Sequence, residues 1–190
     1  MKYSWQEFQY CPRCGARYPS DEFRARTVSL ICAECRYEFF QNSSPAATVV
    51  VPSKTLPREI ILLTRSIPPG KGLLALPGGF LQYREPPSRA AQREVSEEIL
   101  LQIDLDRLLD SYLVDYEFRG IIVSVVELVY LSKPVEYAVT QLHTSEAASV
   151  GYYDVAAFQQ SAAGLAFPEQ QQALRRYCEY LSSLDHALHN

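Results

Sequence analysis

The sequence lacks a long uninterrupted apolar run, which excludes an obvious membrane span. A transmembrane helix needs about 20 consecutive apolar residues, whereas the longest apolar stretch here, GIIVSVVELVYL, is interrupted by Glu127. The first residues, MKYSWQEFQYCPRC, also lack the apolar core of a signal peptide. We therefore expect a cytoplasmic protein without a membrane partner.

A surplus of basic residues is missing as well. Lysine and arginine number 18 and aspartate and glutamate 22, which gives a formal net charge of -4. General nucleic-acid binders normally carry a strongly basic face, so we expect nucleic acid to be an unlikely partner. A small anionic substrate stays compatible with this charge if metal ions offset it locally. Apolar residues make up 47% of the 190 residues, as in a globular protein with one core and a small appendage.

Cysteine is scarce outside the N-terminal region, where two Cys-x-x-Cys pairs have the separation of a four-cysteine zinc site. The four predicted zinc ligands are Cys11, Cys14, Cys32 and Cys35. A tetrahedral Zn²⁺ would supply folding free energy that so short a segment cannot obtain from a core. The alternative is disulfides or redox-active dithiols, which the lack of a targeting signal disfavours. Cys178 lies on the apolar stripe of the last predicted helix and is expected to be a small buried hydrophobe.

The run from Gly79 to Leu101, GFLQYREPPSRAAQREVSEEILL, carries the pattern that bears most directly on function. If the part after its two prolines is helical, Glu94, Glu97 and Glu98 stand at i, i+3 and i+4 and emerge from one face. Such like charges repel each other in an isolated helix, whereas a hard divalent cation would turn the repulsion into coordination. Oxygen ligands of this kind favour Mg²⁺ or Mn²⁺ over zinc or copper.

The same run resembles the Nudix box, GX5EX7REUXEEXGU, in which U is aliphatic. The residues on specified positions are Gly79, Glu85, Arg93, Glu94, Val95, Glu97, Glu98 and Leu101. The alternative, a solvated glutamate-rich helix, explains neither the glycine pair nor the distant Glu85. One position departs, because Leu100 stands where the family has a glycine. That glycine usually ends the helix in a left-handed conformation that leucine does not readily take, so we expect the helix to run on or to end differently.

The resemblance implies an α+β fold, the Nudix α/β/α sandwich around a mixed sheet, over residues 42–190, preceded by a small zinc ribbon over residues 1–41. Strand-like segments before the box, a hairpin around Arg119-Gly120 and a strand near SVGYYD fit that order. A closing amphipathic helix is predicted from Glu169 to about His189. The segment FFQNSSPAA is predicted to be the linker between the two domains.

Members of the family hydrolyse a diphosphate that is linked to another group, while divalent ions hold the phosphates. The resemblance implies that the Mg²⁺ ligands are the Gly79 carbonyl, Glu94, Glu97 and Glu98, that Glu97 and Glu98 are catalytic, and that Glu85 and Arg93 form a structural brace. It places a general base at Glu146, for which an exposed loop carboxylate is an equal alternative. The candidates for substrate binding, each with solvation or packing as the alternative, are Arg65, Lys71, Phe80 and Tyr83.

The run FFQNSSPAATVVV resembles the YQNP segment of the branch that cleaves FAD or ADP-ribose, and the SQPWPFP-like signature of the NADH branch is missing. We therefore predict a hydrolase that releases a nucleoside monophosphate from FAD, ADP-ribose or related dinucleotides, with Mg²⁺ (or Mn²⁺) and Zn²⁺ as cofactors. The alternatives are an NADH diphosphatase, an enzyme that sanitises nucleoside triphosphates or removes RNA caps, and a non-catalytic zinc-ribbon regulator that senses a nucleotide. Relatives often form homodimers, and this sequence does not decide the oligomeric state.

Overall fold

A computed structural model describes residues 2–3, 7–19, 29–137, 144 and 147–188 of the chain. The contacts divide the chain into two compact units, one of Met1–Ser44 with Asp115–Val125, the other of Pro45–Val114 with Val126–Asn190. The tip of a long hairpin is thus grouped with the N-terminal residues, which the linear sequence does not indicate. Among the described residues, no helix has the length and apolar character needed to cross a membrane.

The second unit contains both helices and most of the strands. In chain order the elements are β1 (Lys2–Tyr3), β2 (Ser29–Ile31), β3 (Glu38–Phe40), β4 (Ser44–Val50), β5 (Glu59–Thr64), β6 (Leu74–Ala75), β7 (Gly78–Phe80), α1 (Pro87–Ile99), β8 (Leu105–Phe118), β9 (Ile121–Ser132), β10 (Ser149–Asp154), a 3-10 helix (Val155–Phe158) and α2 (Gln170–Leu188). The predicted linker is wrong in part, because β3 and β4 occupy both of its ends.

The largest sheet has the strand order β1-β9-β4-β7, with β8 paired to β9. It is mixed, since β1 runs parallel to β9 while β4 and β7 are antiparallel. A second sheet has the order β10-β5-β6, and β2 pairs with β3 in a small hairpin of the N-terminal unit. The predicted α+β class with a mixed sheet is confirmed.

The two helices pack against opposite faces of the central strands. Ala47 and Val49 of β4 share a core with Val95 of α1, whereas Val50 of the same strand shares a core with Leu174 of α2. This division follows from the strand geometry, in which successive side chains point to opposite faces. The second unit is therefore a helix–sheet–helix sandwich, as predicted.

The end of α1 differs from the expectation. The helix stops at Ile99, and Leu100 takes the left-handed conformation (φ 56°, ψ 29°), with its N–H donated to the Ser96 carbonyl. The expectation that leucine would extend the helix or change its end is therefore wrong. A left-handed residue with a side chain costs about 1–2 kcal/mol. Leu100 is 67% exposed, so burial of its side chain does not offset that cost.

Candidate active site and cysteine centre

The loop that precedes α1 is tied to the helix by one arginine. Arg93 donates from Nε to Glu85 Oε1 over 2.8 Å and from Nη2 to Glu85 Oε2 over 2.9 Å. The Gln82 N–H also donates to the Glu85 carboxylate, over 2.9 Å. These hydrogen bonds, that of Arg93 first, lower the pKa of Glu85 to about 2. The geometry is that of the expected brace, in which a bidentate ion pair fixes the loop against the helix.

The same guanidinium also contacts two of the three helix glutamates. Its Nη1 atom donates to Glu94 Oε1 over 2.7 Å and to Glu97 Oε2 over 2.8 Å. The third glutamate, Glu98, accepts the Gly78 N–H through Oε2 over 2.8 Å. Arg93 therefore offsets part of the like-charge repulsion that the sequence analysis assigned to a metal ion.

Two glycines let the backbone of β7 approach both β4 and the acidic helix. Gly78 has φ 144°, and a Cβ there would lie 2.3 Å from the Ala47 oxygen. A Cβ on Gly79 would lie 2.8 Å from the carboxylate atoms of Glu94. A side chain at Gly78 would clash with backbone atoms of β4, whereas one at Gly79 would push aside the Glu94 carboxylate, which rests against the Gly79 backbone. This cradle, which a methyl group would fill, suits a site built from carboxylate and backbone oxygens.

The four cysteines form a compact group in the N-terminal unit. Their Sγ atoms all lie within 4.8 Å of one another, and no other group of three or more His, Cys, Asp or Glu side chains in the described ranges meets that criterion. Two of the Sγ–Sγ distances are 3.7 Å (Cys11 to Cys35) and 3.5 Å (Cys14 to Cys32). The edge of a tetrahedron with Zn–S bonds of about 2.3 Å is about 3.8 Å, so the group fits Zn²⁺. All four are free thiols.

The two Cys-x-x-Cys turns have the same backbone hydrogen bonds. In the first, the Cys11 N–H donates to the Ala16 carbonyl (2.8 Å) and the Gly15 N–H to the Cys11 carbonyl (2.9 Å). In the second, the Cys32 N–H donates to the Tyr37 carbonyl (2.9 Å) and the N–H of the residue after Cys35 to the Cys32 carbonyl (3.0 Å). That residue, an arginine where the first turn has glycine, also has a positive φ of 60°. The repeated geometry presents two pairs of thiols to one point.

A family model described as the NUDIX domain matches residues 43–177. The chain belongs to the Nudix family. The match begins after the cysteine group, covers β4 to β10 with the acidic helix and its brace, and ends within α2.

Two curated relatives and one solved structure illustrate the family likeness. An ADP-ribose pyrophosphatase of Methanocaldococcus jannaschii is 39% identical over 113 residues, 59% of this chain and 62% of that protein. The NAD-capped RNA hydrolase ndx-9 of Caenorhabditis elegans is 26% identical over 103 residues, 54% of this chain and 26% of that protein. This chain therefore spans less than two thirds of either relative. A NUDIX hydrolase from Nitrosomonas europaea shares the fold, with a TM-score of 0.64 at 20% identity over 90% of each chain.

The candidate substrate residues of the Nudix domain lie in different surroundings. Arg65 donates to the Pro69 carbonyl over 2.6 Å and lies 4.9 Å from the centre of the Phe167 ring, so its guanidinium is engaged within the fold. Lys71 is exposed. Tyr83 is 94% exposed and Phe80 is 42% exposed. Their roles stay predictions.

Two further predicted residues bear on the limits of the site. Glu146, the predicted general base, lies outside the described residues. Cys178 is partly buried against the core that α2 shares with the sheet. Its side chain therefore has the packing role that the sequence predicts, with less complete burial than expected.

A buried polar group of the Nudix domain was missed by the sequence analysis. Glu127 is 4% exposed, and its Oε1 accepts from Thr48 Oγ1 over 2.8 Å and from Gln170 Nε2 over 2.9 Å. Burial raises the pKa of Glu127, while these two hydrogen bonds act in the opposite direction. The sequence signal for this buried group is a single glutamate within an apolar strand, which was interpreted above only as evidence against a membrane span.

Proposed function

We propose that this chain is a Mg²⁺-dependent hydrolase that cleaves the diphosphate bond of nucleoside diphosphate derivatives and releases a nucleoside monophosphate. The observation that carries the proposal is the cradle in which the Glu94 carboxylate rests on the Gly79 backbone while Glu98 accepts the Gly78 N–H. The substrate class, FAD, ADP-ribose or related dinucleotides, draws support from the relative named as an ADP-ribose pyrophosphatase.

The residues that would hold Mg²⁺ are the Gly79 carbonyl, Glu94, Glu97 and Glu98. When bound, the ion would neutralise the negative charge of the phosphate oxygens while water attacks the phosphorus. The chain itself supplies the placement of the ligands: the glutamates project from one helix, and the brace of Glu85 and Arg93 fixes the adjoining loop. Glu97, whose side chain is about half exposed, and Glu98 are the proposed catalytic carboxylates.

Further residues complete the proposed site. Glu146 remains the proposed general base. Phe80 and Tyr83 are proposed to stack on a base, which their exposure permits, and Lys71 is proposed to meet phosphate oxygens. Arg65 is a weaker candidate for phosphate binding, because it would have to leave Pro69 and Phe167.

The cysteine group is proposed to hold a structural Zn²⁺. Among the described residues around the cysteines, the buried cluster consists of Cys11, Tyr18, Leu30 and Cys32. Two of these four are themselves proposed ligands, so the ion would supply much of the unit's folding free energy. Between Met1 and Phe40 the sequence has six basic residues nearly balanced by five acidic ones. This balance favours a structural role over nucleic-acid binding.

A second candidate function is hydrolysis of NADH or of a nucleotide cap on RNA. The observation that favours it is the relative named as an NAD-capped RNA hydrolase, although this chain covers 26% of that protein. The same acidic helix would serve both reactions, since the bond cleaved is a diphosphate in each case. The distinction therefore lies in the substrate.

The experiment that separates these functions is a substrate panel with the full-length protein and Mg²⁺. The panel contains FAD, ADP-ribose, NADH, capped RNA and modified nucleoside triphosphates, and chromatography resolves the products. Release of AMP from FAD or ADP-ribose supports the first proposal. Turnover confined to NADH or capped RNA supports the second, and pyrophosphate released from triphosphates identifies a sanitising enzyme. Tight binding without turnover of any compound would overturn both proposals in favour of a nucleotide sensor.

A further inference from the structure

A buried side chain connects the start of α2 to the loop that carries the two glycines. Gln170, the first residue of α2, is 1% exposed. Its Nε2 donates to Glu127 over 2.9 Å, and its Oε1 accepts the Leu76 N–H over 3.1 Å. Both ends of the amide are therefore used. Leu76 lies two residues before Gly78, so Gln170 joins the carboxylate in β9 to the backbone of the glycine loop.

The segment that precedes α2 holds the same loop at a second point. The Leu74 N–H donates to the Gly164 carbonyl over 2.8 Å, and the Ala166 N–H donates to the Leu74 carbonyl over 2.7 Å. The Val49 N–H of β4 donates to the Pro77 carbonyl over 2.9 Å. Residues 164–170 and β4 thus both hydrogen-bond to the backbone of residues 74–77.

Glu127 and Thr48 fix the orientation of the Gln170 amide. When ionised, the Glu127 carboxylate only accepts, which points the Gln170 amide nitrogen toward it and leaves the amide oxygen for Leu76. Thr48 donates to the same carboxylate oxygen and stands opposite Gly78 in the pairing of β4 with β7. A buried carboxylate is costly to stability compared with an apolar residue of similar size. The presence of Glu127 inside the apolar strand β9 is therefore better explained by a positioning role than by a gain in stability.

We propose that Gln170, oriented by Glu127, is a positioning residue that fixes the backbone of residues 76–79 against the acidic helix. Through that backbone it places the Gly78 N–H on Glu98, 2.8 Å away, and the Gly79 backbone against Glu94. The inference rests on the proposed function, because the glycine loop is there part of the metal site. Gln170 itself is assigned no contact with substrate.

The test uses the full-length protein and three variants. Gln170→Met keeps the length of the side chain and removes both hydrogen bonds. Glu127→Gln keeps an oxygen that accepts from Thr48 and Gln170. Gln171→Met is the matched control, because Gln171 is the next residue of α2 and its Nε2 donates to the Phe158 carbonyl over 2.7 Å, away from the glycine loop. If Gln170→Met does not accumulate, Gln170→Asn replaces it, since the shorter amide cannot reach both partners.

The kinetic readout is the split between kcat and KM on whichever panel compound is cleaved. Displacing catalytic groups by about 1 Å costs up to about a hundredfold in rate, so we expect Gln170→Met to lower kcat about tenfold to a hundredfold, with KM within about twofold. Glu127→Gln should retain most of the rate. Gln171→Met should retain the wild-type kcat even if its unfolding midpoint falls. Equal losses of kcat in Gln170→Met and Gln171→Met would overturn the inference.

Hydrogen–deuterium exchange separates this inference from the proposed function, because it needs neither nucleotide nor turnover. In Gln170→Met, the peptide that covers residues 74–80 should exchange at least about tenfold faster than in the wild-type protein. In Gln171→Met it should exchange at the wild-type rate. Unchanged protection in Gln170→Met would overturn the positioning role. If the wild-type protein cleaves no compound of the panel, the proposed function is refuted. The exchange rate of residues 74–80 in Gln170→Met then still decides whether Gln170 has the positioning role.

Discussion

Replacing Leu100 by glycine should stabilise this protein. The residue ends α1 at φ 56° and ψ 29°, where a side chain costs about 1–2 kcal/mol. Glycine removes that cost, but it adds conformational entropy to the unfolded chain, which lowers the free energy of unfolding by about 0.5–1 kcal/mol. Little burial is lost, because Leu100 is 67% exposed. The two ranges leave a net gain of up to about 1.5 kcal/mol, or a rise in Tm of up to about 6 °C for a chain of this size.

The assay is urea denaturation followed by circular dichroism, with Leu100→Ala as the control. Alanine removes most of the exposed side chain but keeps Cβ, so it retains the left-handed cost and should lie within about 0.5 kcal/mol of the wild-type protein. A gain in Leu100→Gly that alanine does not share assigns the effect to the backbone conformation. If Leu100→Gly is no more stable than Leu100→Ala, the left-handed conformation of residue 100 does not strain the protein, and this prediction is refuted.

Three further predictions follow from the rest of the structure. Elemental analysis should find about one zinc ion per chain, lost in Cys32→Ser and retained in Cys178→Ser; a wild-type protein without zinc would reject the cysteine site. The pKa of Glu85 is about 2 in the folded chain against 4.5 as its ordinary value. Its stabilising effect is therefore complete above about pH 4.5 and is lost as the pH falls toward 2. The difference in urea midpoint between wild type and Glu85→Gln should accordingly shrink from pH 5 to pH 3, and a constant difference would contradict the brace. Gly79→Ala places a Cβ 2.8 Å from the Glu94 carboxylate, so activity should fall at least about tenfold while the unfolding midpoint changes little; wild-type activity would argue against the cradle.

The local patterns of the sequence predicted the fold well, because they are set by short-range periodicity. The acidic helix buries Ala91, Val95 and Ile99 as its spacing indicates, and the hairpin turns at Arg119-Gly120, where both residues have positive φ. The expected end of α1 was wrong, because it was predicted only from the low preference of leucine for the left-handed conformation. The surrounding structure holds that residue in a conformation that it disfavours in isolation.

The sequence predicted candidate members of the site without their contacts in the structure. Eight positions of the box made the glutamates candidates, but they did not indicate that Arg93 would contact Glu94 and Glu97 as well as Glu85. The contact between Gln170 and Glu127 joins residues 43 positions apart, and no local pattern encodes it. Long-range polar contacts of this kind depend on the packed sheet, so a single sequence does not reveal them.

The central claim is that the acidic helix uses a divalent cation to hydrolyse a diphosphate. Its most direct test is the rate of AMP release from ADP-ribose and from FAD, measured with and without Mg²⁺, for the wild-type protein and for Glu98→Gln. We predict that the wild-type protein releases AMP only when Mg²⁺ is present. The folded Glu98→Gln variant should release AMP about a hundredfold more slowly, or slower still. Equal rates in the two proteins, or turnover that persists in excess chelator, would contradict it.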